Sequence, residues 1–395
     1  MGIAPARFVL GFVLSLGLAL SSALIATPAT AAALTNTVKP SISGKAVYSR
    51  TLTADPGEWT PAATSYTFQW LRNGSPIKKA TAATYVIGLE DLGRRLSVQV
   101  TASDGAATGT ATSARTSKVA RATLKAKGGQ KIKGVVRFTR TLDAKVGFWN
   151  QKPTRLKFQW LRFGKPIAGA TKQRYRIAPE DVGTALRVQI TAKAPGYKVT
   201  TVKTARTARV RHRVDVRRVV RYHVETRGTI TTSVKTFRAL ANQTLNDPRG
   251  WRSSGIEFRQ VAKGGSMTLV LSSASAVPSF SSACSSTWSC RVGRYVIINQ
   301  ERWKHASPAW NAAKQGLRGY RHMVVNHESG HFLGLGHASC PGPGKLAPVM
   351  MQQSKSRNGC RFNPWPTARE IASRTPGRGR LADPDFPGYS RVDVE

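Results

Sequence analysis

Eleven residues near the carboxyl-terminal end, HESGHFLGLGH from 327 to 337, hold three of the seven histidines of the 395-residue chain. Residues four apart on a helix share a face, with Cβ atoms about 5 to 6 Å apart, so His327 and His331 can converge on one ion. Glu328 lies one step round the helix, beside such an ion rather than on it, where it can take a proton from an activated water as general base. Gly334 falls three residues after His331, where a glycine lets the chain leave the helix through a left-handed turn and return His337 as a third ligand. Zinc prefers tetrahedral coordination, at about 2.0 to 2.1 Å from histidine nitrogen, and three protein donors leave the fourth position open, the pattern of a catalytic rather than a closed structural site. The expectation is one catalytic Zn2+. The bland alternative is a packing role, since Tyr320, Val324, His327 and His331 share one helical stripe. Burying three imidazoles and a carboxylate together without a cation is costly, which argues against it. His212, His223, His305 and His322 lack a partner at ligand spacing and read as surface or packing residues.

The elements that must position these residues can be read around them. GLRGYRHMVVNHESGHFLGL is predicted helical, and TTSVKTFRALANQTLND carries apolar residues at helical spacing. RVVRYHVET, GIEFRQVA, SMTLVLSS and GRYVIINQERW are strand candidates. Strand, helix, three strands and helix make a mixed α/β or α+β domain over 211–395.

Ahead of it the chain repeats itself. FQWLRNGSPIKKAT is echoed by FQWLRFGKPIAGAT, and YVIGLEDLGRRLSVQVTA by YRIAPEDVGTALRVQITA. Phe68, Trp70, Tyr85, Asp91 and Gly93 match Phe158, Trp160, Tyr175, Asp181 and Gly183 without insertion between the copies. Short alternating runs with Gly, Pro, Asn and Asp between them predict two all-β sandwiches, over 32–122 and 123–210. Trp70 and Trp160 read as core residues rather than a carbohydrate-stacking surface.

Residues 1–31 combine Arg7, an apolar run from about Phe8 to Ala26 and an A-x-A site ending at Ala31, so a cleaved signal peptide and a secreted or cell-envelope-associated protein are expected, without a transmembrane segment in the mature form. An uncleaved membrane anchor is the alternative. Export makes disulfides the expected state of Cys284, Cys290, Cys340 and Cys360. Three pairings exist. Proximity favours Cys284 with Cys290 and Cys340 with Cys360, and sequence alone does not settle the choice. The formal net charge of +42 points to polyanions. Outside the cytoplasm these are anionic cell-envelope polymers, whereas nucleic acid rests on charge alone and conflicts with export. Solvated surface that aids solubility is the alternative.

HESGHFLGLGH resembles the H-E-x-x-H-x-x-G-x-x-H signature of the metzincin zinc peptidases. NHESGHFLGLGHASCPGPGKLAPVMMQQ with CRFNPWP is similar to an uncharacterised actinobacterial family of secreted metzincin-like proteins, over about 211 to the carboxyl terminus. The repeats resemble bacterial immunoglobulin-like modules without the inter-sheet disulfide. The resemblance implies a metzincin-like α+β zinc peptidase domain, with Met350 (or Met351) in a methionine turn beneath the metal and a Cys340 to Cys360 bridge closing the loop that holds it. It also implies that the strand RYVIINQ is the sheet edge that aligns a substrate peptide. The position where some members carry a transition-state tyrosine is Gln352, or Gln353 for Met351. No cysteine precedes Cys284, so no propeptide thiol can cap the metal.

The resulting expectation is a secreted zinc-dependent endopeptidase acting on a peptide or protein substrate, with Glu328 as general base. The alternative is a non-catalytic cell-wall binding or adhesion protein whose zinc site is structural or vestigial.

Overall fold

The structure is a computed structural model, and it describes residues 33–374 and 392–394. The signal peptide expected over residues 1–31 lies outside the described residues. The chain divides into two compact units, one ending at Ala122 and the other starting at Thr123.

Both repeats are immunoglobulin-like β-sandwiches, and strands predominate over helices in the chain. In the first, a four-stranded sheet of Ser75–Pro76, Ser65–Arg72, Leu96–Ser103 and Thr108–Thr112 is joined by a three-stranded sheet of Ser41–Ser43, Thr51–Asp55 and Thr84–Val86. The second repeats this plan, with Lys165–Pro166, Arg155–Arg162, Leu186–Lys193 and Thr200–Lys203 in one sheet and Lys131–Lys133, Thr141–Lys145 and Arg174–Arg176 in the other. Alternation sends Leu142, Ala144, Trp160, Val188 and Ile190 inward to one core. Trp70 and Trp160 are fully buried, each donating its indole N–H to a main-chain carbonyl. The ladders add one detail: Gln99 faces Thr112 while Gln189 faces Lys203, so the last hairpin of the second repeat is one residue longer.

The repeated phrases are explained by a buried carboxylate. Asp181 is fully buried and accepts from Arg162 Nε at 2.8 Å, Tyr175 Oη at 2.7 Å and the Ala178 amide at 2.7 Å. Asp91 does the same with Arg72 Nε at 2.7 Å, Tyr85 Oη at 2.8 Å and the Gly88 amide at 2.7 Å. A buried charge is tolerated only when paired and hydrogen-bonded, so Arg, Tyr and Asp recur together in each copy. Burial, with Asp91 next, raises the Tyr85 phenol to about 12.

The carboxyl-terminal domain is built on a six-stranded mixed sheet. Its strands are β1 (Arg218–Arg227), β2 (Ile256–Gln260), β3 (Met267–Ser272), β4 (Cys290–Val292), β5 (Tyr295–Asn299) and β6 (Val392–Val394), in the order β2-β1-β3-β5-β4-β6. β2, β1, β3 and β5 run parallel, while β4 is antiparallel to β5 and to β6. The helices are α1 (Val234–Leu245), α2 (Gln300–His305), α3 (Pro308–Ala312), α4 (Leu317–Phe332) and α5 (Ala368–Ser373). Met267, Leu269 and Leu271 of β3 and Val296 and Ile298 of β5 share one core with Phe237 and Leu240 of α1 and Tyr320 and Val324 of α4. Val270 and Ile297, one residue out of step, face the opposite core with Val277, Cys284 and Cys290. A strand buried on both faces is uniformly apolar, as parallel strands are.

This arrangement does not by itself show a metzincin-like α+β domain; its sheet is mixed and largely parallel, with α1 and α4 packed on one of its faces. Nor is RYVIINQ a sheet edge, because Cys290–Val292 folds back through the turn at 293–294 and pairs with Tyr295, Val296 and Ile297 on that side. Among the described residues, no helix is long and apolar enough to cross a membrane.

Candidate metal centre

α4 carries the site. Its last turn ends in a paired closure: the Gly334 amide donates to the His331 carbonyl at 2.9 Å and the Leu335 amide to the Gly330 carbonyl at 3.0 Å. Gly334 has φ +86°, the left-handed conformation this closure needs. The chain then doubles back, and the imidazoles of His327, His331 and His337 gather, with ring centroids 4.6, 4.7 and 5.4 Å apart. Their ligand atoms all lie within 4.8 Å of one another. His327 and His331 are buried, while His337 is exposed. Glu328, between the first two on the helix, is fully buried.

The hydrogen bonds decide which nitrogens face the centre. His327 Nδ1 lies 2.8 Å from the Val349 carbonyl, and His331 Nδ1 lies 2.8 Å from the Leu335 carbonyl. A carbonyl only accepts, so each Nδ1 carries the proton and each neutral ring presents the Nε2 lone pair. Those two Nε2 atoms are 3.0 Å apart. Two lone pairs cannot hydrogen-bond to each other, and a cation between them resolves the contact. Two nitrogens at tetrahedral zinc would stand about 3.3 Å apart, so the pair fits the ion. Burial, reinforced by His337 and Arg291 and opposed by the Leu335 carbonyl, lowers the His331 imidazole to about 3, so a proton is a poor substitute for a metal.

Behind the rings stands a second set of contacts. Met350 joins the core beneath α4, and a Cβ at Gly330 would overlap its Sδ and approach Trp251 Cζ2 to 3.0 Å. Met351 belongs instead to a separate small cluster with Ala347 and Cys360. The Ala338 amide, next to His337, donates to the Met350 carbonyl at 3.0 Å. Cys340 is bonded to Cys360 and Cys284 to Cys290. Gln352 and Gln353 follow; Gln353 is buried and donates to the Pro348 and Asn363 carbonyls, which commits it to the loop.

One residue of this support was missed in the sequence. Glu370 of α5 accepts from the Val349 and Met350 amides and from Thr367, and burial raises its carboxyl while these bonds oppose the shift. The signal was present as T-A-R-E at 367–370, a capping box that marks the start of α5. Its link to the metal loop was not.

Residues 193–368 match a family model described as a protein of unknown function (DUF3152). The match takes in all three histidines and Glu328. It overturns the assignment to the metzincin peptidases, because the family recognised carries no peptidase description. No curated protein matches the chain. Among solved structures, the chain is similar to three amino-terminal domains of the outer capsid protein Hoc of bacteriophage RB49, at 15% identity and a TM-score of 0.23 over 47% of this chain and 65% of that one. It therefore spans somewhat less than two thirds of that fragment. It is also similar to a two-domain fibronectin type-III segment of chicken tenascin, at 11% identity and a TM-score of 0.25, covering 43% of this chain and 98% of that one. Scores this low carry no argument, and the description of the repeats rests on their own strand pairing.

Proposed function

We propose that the carboxyl-terminal domain is a zinc-dependent hydrolase that cleaves peptide bonds outside the cytoplasm, with Glu328 as general base. One observation carries the reading: two buried imidazoles whose Nδ1 protons are committed to carbonyls direct their Nε2 lone pairs at a common point, 3.0 Å apart. His327, His331 and His337 would hold the ion. When bound, it would polarise a substrate carbonyl and make water a nucleophile near neutral pH. Glu328 receives the proton of the attacking water and delivers it to the departing amine, the role its place between the two histidines provides. Exposed His337 leaves the site an open side toward substrate. A structural ion would call for a fourth protein ligand, whereas the metal-competent group among the described residues consists of the three histidines. Two disulfides favour an oxidising compartment and so support export.

The test is to load the full-length protein with zinc, confirm the metal content, and incubate it with a mixed peptide library with and without chelator, reading products by mass. Chelator-sensitive cleavage is expected. A fully loaded protein that leaves every peptide intact would remove the proposal.

A further inference from the structure

The two sandwiches share a fold and an almost gap-free sequence match, yet their charges differ sharply. Residues 33–122 hold 11 Lys and Arg against 5 Asp and Glu, whereas 123–210 hold 21 against 3. Fold and solubility are served equally well by the first set, so the excess in the second needs its own explanation.

The ladders locate it. On the outer face of the four-stranded sheet of the second repeat, the residues out of step with the core are Arg155, Lys157, Arg187, Lys193 and Lys203. The same ladder positions in the first repeat are Ser65, Thr67, Ser97, Ser103 and Thr112. Arg155 stands directly opposite Lys193, a like-charge cross-strand pair that costs stability. Four of the five are exposed, and Arg187 is half-buried with Nε on the Thr204 carbonyl at 2.8 Å. None of the five has a carboxylate partner among the described residues. The three-stranded sheet of the same repeat is also basic, but there Asp143 already pairs with Lys145.

We infer that this four-stranded face is a docking surface for a linear polyphosphodiester of the cell envelope. Arg and Lys spaced along adjacent strands match a chain bearing one negative charge per repeat, and Arg suits phosphate through its planar fork. Gln159, Gln189, Thr191 and Thr201 lie between the cations, so the strands set no aromatic side chain between them on which bases would stack. The disulfides of the same chain also favour a compartment where envelope polymers, not nucleic acids, are the resident polyanions.

The experiment transplants the first repeat's own residues into full-length protein: Arg155→Ser, Lys157→Thr, Arg187→Ser, Lys193→Ser and Lys203→Thr. A second variant removes five cations from the three-stranded side: Lys131→Ser, Lys133→Ser, Lys172→Ala, Arg174→Thr and Arg176→Val. Circular dichroism and thermal midpoints confirm folding. Binding is measured to poly(glycerol phosphate), and to single- and double-stranded DNA of equal phosphate content, across a salt series. The first variant should lose at least tenfold affinity for poly(glycerol phosphate), and its salt slope should flatten by about 3 to 4 at roughly 0.7 per phosphate contact on a single chain. The second should lose less than threefold. Equal losses in both variants would reduce the effect to net charge. Unchanged binding in the first, or tighter binding of wild type to either DNA, would overturn the inference.

Discussion

The Glu370 carboxylate accepts the amide of Val349 at 3.2 Å, and the carbonyl of that same Val349 lies 2.8 Å from His327 Nδ1. One buried carboxylate thus fixes the main chain that fixes the imidazole. Outer partners of this kind set the tautomer and aim of a metal-binding histidine, and their loss typically costs about 10- to 100-fold in metal affinity. Glu370→Gln should therefore weaken zinc binding by about that factor, measured by competition with a chromophoric chelator, while leaving the sandwiches folded. Unchanged affinity would show that the loop holds its shape without this carboxylate.

Glu328→Ala separates binding from chemistry. The variant should retain zinc at one equivalent, since the three imidazoles are untouched, and lose about 10²- to 10⁴-fold in hydrolysis, the range of general acid–base contributions. Full activity would exclude Glu328 as the base. Loss of the metal would make it a ligand instead.

Gly330 occupies a helix interior, where alanine would ordinarily stabilise by about 1 kcal/mol. Here a Cβ would overlap Met350 Sδ, and overpacking of a filled core costs about 1 to 3 kcal/mol. Gly330→Ala should on balance lower the unfolding free energy by about 1 kcal/mol in urea. In a Met350→Ala background the same change should cost less, because the overlap with Sδ is gone and only the close approach to Trp251 Cζ2 remains.

Acid should destabilise the fold through His322. Its ring is buried against Trp365, its Nδ1 bonds Thr244 Oγ1 at 2.8 Å, and burial, with Arg318 nearby, lowers it to about 4 from an ordinary value of 6.5. The depressed group keeps its full stabilising contribution above pH 6.5. That contribution declines as the unfolded chain alone takes up a proton, and it is exhausted once pH falls through 4. The change is of order 3 kcal/mol. Urea midpoints from pH 7 to pH 4 should fall steeply in wild type and less so in His322→Asn. Equal slopes would assign the acid sensitivity to other groups, such as half-buried His212, which burial also lowers to about 4.

Local spacing carried the centre of the site into the sequence. A four-residue interval on a helix places His327 and His331 on one face whatever surrounds them, and a glycine three residues later permits the left-handed exit that returns His337. The repeats were legible for the same reason, since an alternating strand declares its buried side and the Arg, Tyr and Asp of each copy recur in register. Sheet order was not legible. Whether Tyr295–Asn299 forms an edge depends on whether Cys290–Val292 folds back on it, and that choice belongs to the burial of two faces at once. Met350 and Met351 are neighbours in sequence, the first favoured by its P-V-M setting, and packing sends the first beneath α4 and the second toward Cys360. Glu370 likewise reads as a helix cap until folding brings it against Val349, 21 residues earlier. Periodicity is a property of neighbours along the chain; which distant surfaces meet is decided by the competition to bury them.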